Sequence, residues 1–427
     1  MRSITNVLLL CIVTLSFSQA SADTYVLTGQ MLDVRSGKML QNQVLQIANE
    51  RIVAISSRDS ATIPTGATVF DYSQQFIVPG LIDAHVHLHG NATDHGYRRL
   101  ADSLPTRTLK GAVNAARTLR AGFTSARMVG APGFADVALR DAIDSGAIEG
   151  PRLRVAGPSI GITGGHCSDN NLLPFDSEVI GEGVADGPWA MRQRVRRNKK
   201  FGADVIKTCS TGGVLSKGTE VGAPQGTVEE LTALVEEAHS HGLKVAVHAH
   251  GASGIRNAIA AGADSVEHAS FIDDEGIRMA KKAGTVLVMD IYNTEYILGE
   301  GEAAGILPES LEKERRVGAT QRESFSRAHA AGVKMVFGTD AGVYPHGDNA
   351  RQFARMVRFG MTPLEAIRAA TLDAAELLDF ADDVGELTVG HYADFVVVDA
   401  NPLDDVSVLE NPAAVVKGGQ LISAQQD

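Results

Sequence analysis

The sequence predicts an α/β fold: a (β/α)8 TIM barrel with a small β-sandwich formed from the N- and C-terminal flanks. Three observations lead there. Short β-branched runs alternate with helical patterns through the middle of the 427-residue chain. Six helical stretches end in a glycine and a strand begins almost at once, at Ala121-Gly122-Phe123, Phe201-Gly202-Ala203, His241-Gly242-Leu243, Ala261-Gly262-Ala263, Ala283-Gly284-Thr285 and Ala331-Gly332-Val333. Such a glycine supplies the left-handed position after the last helical turn, and short αβ loops are usual in βα units. The flanks, by contrast, carry strands and turns.

Residues 1–22 read as a leader rather than as part of the fold. Arg2 gives a positive start, Val7 to Phe17 is apolar but too short to span a bilayer, and Ala20-Ser21-Ala22 is a cleavage signal. Cleavage after Ala22 predicts a secreted or periplasmic protein. Cys11 lacks the small residues that would precede a lipid-anchored cysteine. Residues 23–78 hold the runs Tyr25-Val26-Leu27, Val44-Leu45-Gln46-Ile47 and Arg51 to Ile55. Eight strands are then predicted near 80–88, 123–129, 152–157, 204–210, 244–250, 264–270, 285–291 and 334–340, within a barrel spanning 79–380. A helix over Val228 to His241 has Thr227 as its N-cap. No GxGxxG follows the first strand, which counts against a dinucleotide fold, and Gly161 to Gly165 lacks a P-loop ending. Residues 381–427 return to strands, Ala393 to Asp399 being the clearest. Neither flank is large enough for its own core, so the two are predicted to pair.

Apolar residues make up 44% of the chain and charged residues 21%, enough for a sizeable core. The net charge of −12 becomes one unit more negative without Arg2, which argues against nucleic acid or an anionic membrane as partner. The basic stretch Arg192, Arg194, Arg196, Arg197, Lys199 and Lys200 reads as a solvated helix face. After cleavage only Cys167 and Cys209 remain, and the sequence leaves them either paired or free.

The ionisable residues cluster at predicted strand ends, where barrel sites form. In Ile82-Asp83-Ala84-His85-Val86-His87, residues two apart share a strand face, so both imidazoles project together as a pair of nitrogen ligands. Lys207 ends strand 4, His248 and His250 end strand 5, His268 ends strand 6, and Asp340 ends strand 8. Structural alternatives exist: Lys207 as a snorkelling amine, His268 as a core histidine, Asp340 as a cap. One shared site explains all of them together. A bare ammonium beside metal cations would be repelled, whereas carboxylation of a neutral Lys207 amine would make an anionic bridging ligand.

The stretch Pro79 to His87 resembles the opening motif of the metal-dependent amidohydrolase superfamily. Val247-His248-Ala249-His250-Gly251, Ile206-Lys207 through Val214, and Phe337-Gly338-Thr339-Asp340-Ala341-Gly342 resemble its Xaa-Pro dipeptidase and carboxypeptidase-like branch. Within that branch the chain is most similar to the bacterial amidohydrolases that degrade ochratoxin A. The resemblance implies His85, His87 and Asp340 on the more buried of two Zn2+ ions, His248 and His268 on the second, and N6-carboxylated Lys207 bridging them. It also implies Asp340 as the proton carrier of amide hydrolysis, and a homo-oligomer acting on a small-molecule peptide or N-acyl amino acid. His250 shares the face of His248 and is a candidate for contact with the substrate. The segment Thr163 to Pro188, with His166, reads as a cover for the mouth. Tyr292 and His346 are further candidates for a substrate carboxylate, and Cys209 reads as a small packed thiol. The alternatives are a cyclic-amide hydrolase of imidazolonepropionase or hydantoinase type, a deaminase (disfavoured by Lys207), and an exported binding protein without chemistry.

Overall fold

The structure, a computed structural model, describes residues 23–167, 171–177 and 179–422; the expected leader lies outside them. The N-terminal flank forms β1 (Thr24–Asp33), β2 (Lys38–Gln41), β3 (Gln43–Ala48), β4 (Arg51–Ser57) and β5 (Thr68–Pro79). Eight further strands follow: β6 (Leu81–Val86), β7 (Phe123–Met128), β8 (Arg152–Val155), β9 (Val205–Cys209), β10 (Lys244–Ala249), β11 (Ser265–His268), β12 (Val286–Val288) and β13 (Met335–Val336). Each falls inside one of the eight predicted runs. The chain closes with β14 (Phe395–Val398), β15 (Ala414–Lys417) and β16 (Gln420–Ile422).

The eight middle strands pair in parallel, as a three-stranded sheet β6-β7-β8 and a five-stranded sheet β9-β10-β11-β12-β13. Two isolated parallel bridges span the gaps between the sheets, Val86 with Ala341 and Ile160 with Thr208. Every residue of β6, β7 and β9 is buried, as expected of parallel strands covered on both faces. The helices between them include α1 (Leu104–Arg120), α2 (Ala135–Asp144), α3 (Pro188–Lys200), α4 (Val228–Ser240), α5 (Ala252–Ala260), α6 (Asp274–Ala283), α7 (Asn293–Glu300) and α8 (Pro308–Ala330). All six predicted post-helical glycines have positive φ, from 68° at Gly242 to 96° at Gly202. Thr227 caps α4 through a capping box with Glu230. On α3, Arg192 and Arg196 pair with Glu236 and Glu237 of α4, so the basic face is partly neutralised by its neighbour.

The flanks do pair: they are hydrogen-bonded as one eight-stranded sheet, and Ile52 of β4 and Val416 of β15, far apart in its order, share one core. The order is β16-β15-β14-β5-β1-β3-β4, with β2 on β1. The cause is the length of β5, whose body lies parallel to β1 while its last four residues pair antiparallel with β14. Alternation along β14 then serves two cores. Phe395 and Val397 pack with Val26 and Ile77, while Val396 and Val398 join the large core of the parallel layer. Among the described residues no helix is long and apolar enough to cross a membrane.

Candidate metal centre

Strand register sets which side chains meet. Parallel pairing aligns Lys207 with Ala246 and Ser265, and one layer further on it aligns Cys209 with His248 and Glu267. His268 follows Glu267 directly, so simple alternation would send it to the opposite face. Its backbone is instead left-handed, φ 69°, and its ring centroid lies 4.5 Å from that of His248. Asp340 is likewise left-handed, φ 57°. Such strain in non-glycine residues is held only where surrounding structure imposes it, characteristically at functional sites.

The donor atoms fall into overlapping groups of three. His85, His87 and Asp340 make one, with Asp340 Oδ1 3.4 and 3.3 Å from the two Nε2 atoms. His248, His250 and His268 make another, and His268 with Asp290 and Asp340 links them. Lys207 Nζ is buried and has no hydrogen-bond partner among the described residues. Burial lowers its pKa to about 8, so a neutral amine is within reach near neutrality.

A supporting ring orients these groups. His85 Nδ1 lies 2.8 Å from Glu267 Oε2, and Glu267 Oε1 accepts from Arg127 Nη2 at 2.8 Å. His268 Nδ1 lies 2.7 Å from Asp290 Oδ1, and His250 Nδ1 lies 2.7 Å from Ser270 Oγ. Each contact engages Nδ1, the arrangement in which metal-binding histidines present Nε2 to the ion. His248 Nε2 is 3.3 Å from the Gly212 carbonyl oxygen. Burial, aided by neighbouring histidines, holds His248 and His250 neutral, as ligation requires. Burial tends to raise the Asp340 pKa, but hydrogen bonds from His85 and His87 outweigh it and keep the group a carboxylate.

These residues line one cavity of about 440 Å³, together with His166. His166 stacks against His248 at 4.2 Å between centroids, and burial drives its pKa down to about 3. Tyr292 and His346 are not on the cavity wall. Tyr292 packs edge-on to Tyr344 in a core cluster, and His346 is buried with Nδ1 3.4 Å from Thr118 Oγ1 of α1. Both lie in the turns after strands, but the turns fold them inward behind the rim. Cys209 is not a free thiol, because it forms a disulfide with Cys167. That bond removes its sulfur from ligation and ties the His166 segment to β9.

Sequence reasoning did not reach Arg127, Glu267, Asp290 or Asn293. Asp290 sits at the end of the seventh predicted strand, so the rule that found the other strand-end residues points to it as well. Arg127 and Glu267 are charges inside apolar strands, a pattern that signals pairing in the interior.

The chain matches the amidohydrolase family over residues 76–422. An ochratoxinase of Aspergillus niger is 33% identical over 433 aligned positions, covering 95% of this chain and 88% of that protein. Among solved structures, a Xaa-Pro dipeptidase with bound methionine superposes with a TM-score of 0.89 at 36% identity, covering 94% of this chain and 99% of the other. The A. niger ochratoxinase structure superposes with a TM-score of 0.80 at 30% identity, over 94% and 96%. With imidazole and carboxylate donors gathered at the strand ends of a fold these proteins share, the chain is a hydrolytic enzyme and belongs to the amidohydrolase family.

Proposed function

We propose that the protein is a zinc-dependent hydrolase of the amide bond to a C-terminal amino acid, acting on dipeptides, N-acyl amino acids and ochratoxin A. The observation that carries this reading is Lys207 Nζ, a buried amine that makes no hydrogen bond among the described residues and lines the same cavity as both sets of donors. An unpaired polar atom in such a place is costly, and carboxylation would turn it into a ligand for both metals. His85, His87 and Asp340 would hold one ion, His248 and His268 the other. The parallel strands and their two bridges support a closed (β/α)8 barrel as the frame.

When bound, the metal pair supplies an acidified water and polarises the scissile carbonyl. The chain's own residues then handle protons and position. Asp340, ionised and in contact with His85 and His87, takes the proton from the attacking water and returns it to the amide nitrogen, which cannot depart as an anion. His250, fixed through Ser270, faces the cavity to contact the substrate carbonyl. The Cys167–Cys209 disulfide supports export to an oxidising compartment, in line with the leader. Assembly into a homo-oligomer is part of the same proposal.

The test is to load mature protein with zinc and bicarbonate, then follow amino-acid release from dipeptides, N-acyl amino acids and ochratoxin A. Release that is lost in Lys207→Ala, together with bound metal, supports the reading. Two bound metals with no release from the panel, but turnover of cyclic amides, would replace it.

A further inference from the structure

Two arginines face the cavity without an acidic partner. Arg99 belongs to the short turn Gly96–Ala101, and Arg107 to the first turn of α1; both line the cavity. The Arg99 guanidinium makes no hydrogen bond or ion pair among the described residues. Arg107 uses Nη2 to donate to the Arg99 carbonyl oxygen at 2.7 Å, which ties the two together. Carboxylates that border the cavity with them are already engaged. Asp94 and Asp102 both accept from Lys110 Nζ, at 2.7 and 2.6 Å. Glu182 accepts from the Gly133 amide and faces Arg197 at 3.7 Å.

The pair therefore carries uncompensated positive charge into a walled cavity, where fields are focused. Arg99 is exposed to solvent where it borders that space, and Arg107 is half-buried beside it. Partial desolvation by the cavity wall and the Arg107 charge lower the Arg99 pKa, and its own charge adds to burial in lowering those of His89, His95 and His166. His166 in turn stacks on His248, so the positive wall overlooks the donor cluster. Ala131, Pro132, Leu173 and Val214 add an apolar surface beside it.

Guanidinium groups bind carboxylates in matched, two-pronged geometry. We propose that Arg99 and Arg107 form the subsite for the free α-carboxylate of the substrate, next to an apolar wall for the residue that bears it. This inference rests on the amide-hydrolase reading above and assigns it a direction: the chain end is gripped, and the amide one residue inward is presented to the donors.

The test compares acid and neutral pairs, N-benzoyl-phenylalanine against its α-amide and ochratoxin A against its methyl ester. The wild type should favour each acid in kcat/KM by about thirty-fold or more, the scale of one charge-assisted hydrogen bond. In Arg99→Gln/Arg107→Gln the preference should fall to within about threefold, through KM, with metal content unchanged. An unchanged preference in a folded, metal-loaded double variant overturns the subsite. Should the variant not fold, inhibition of the wild type decides: free phenylalanine must inhibit at least tenfold better than phenylalaninol, and equal inhibition overturns the proposal. Cleavage of neither member of any pair by the wild type would instead defeat the amide-hydrolase reading itself.

Discussion

A carboxylate enclosed on every side is stable only with fixed partners, and Glu267 shows how much can hang on one. It joins Arg127, Ser265 and His85 in a network with no solvent contact. Burial alone would raise its pKa, yet Arg127 and His85 hold it well below the usual carboxylate range. Glu267→Gln should cost about 3 kcal/mol in urea unfolding, because it leaves Arg127 buried and uncompensated. It should also weaken metal binding about 10- to 100-fold, measured by competition with a chelator, through the loosened His85 ring. Asp136 has the opposite bias. Burial raises its pKa to about 6 despite hydrogen bonds from the amides of Gly157 and Ala156. The folded state therefore binds the proton more tightly than the unfolded chain, so Asp136 costs nothing below pH 3.8 and progressively more as pH rises through 6. The loss should reach about 3 kcal/mol, and Asp136→Asn should flatten that part of the stability profile. At this scale the proposed ligands were legible because they end apolar runs. Their supports were not, because spacing gives the face of a residue but not its depth or partner.

Helix and strand positions were legible for a different reason: each unit carries its own punctuation. The six post-helical glycines and the Thr227 cap fix where helices stop and start, and all eight strands lie where those signals put them. What local signals do not encode is how tightly two loops meet. Gly251, the residue before α5, is an example, since a Cβ there would lie 2.0 Å from the Gly222 carbonyl oxygen. Both sides of that contact are backbone, so no side chain can swing away. Gly251→Ala should destabilise the protein by about 3 kcal/mol and disturb the adjacent His250, seen as a raised KM in the surviving fraction. Helix α8 makes a similar point, because Glu314, Val317 and Gln321 share one face and line the cavity. Glu314 is pushed up to about 7 by burial. No motif marks that face, since a helical stripe of this composition also fits a plain core contact.

The whole molecule is held shut by pairing between its two flanks. The sequence marks the two flanks as partners but not the join between them, because a single long strand able to serve two neighbours is a tertiary outcome rather than a local pattern. A chain ended at Gly390 would lose β14, leaving the last four residues of β5 without that partner and removing Val396 and Val398 from the main core. It should fail to yield a monodisperse species by gel filtration, despite an intact set of donor residues. The same arrangement sets an order of events during synthesis. Gln75 on β5 bonds Asp399, 324 positions later, so the sheet begun by the first strands is completed by the last. Every strand of the parallel layer leaves the ribosome before β14 does, and until then the β5 edge stays open. Contacts this distant are slow to form and leave sticky edges exposed meanwhile. The β5 edge in the N-terminal third therefore stays open to strand-edge association until the chain is nearly complete.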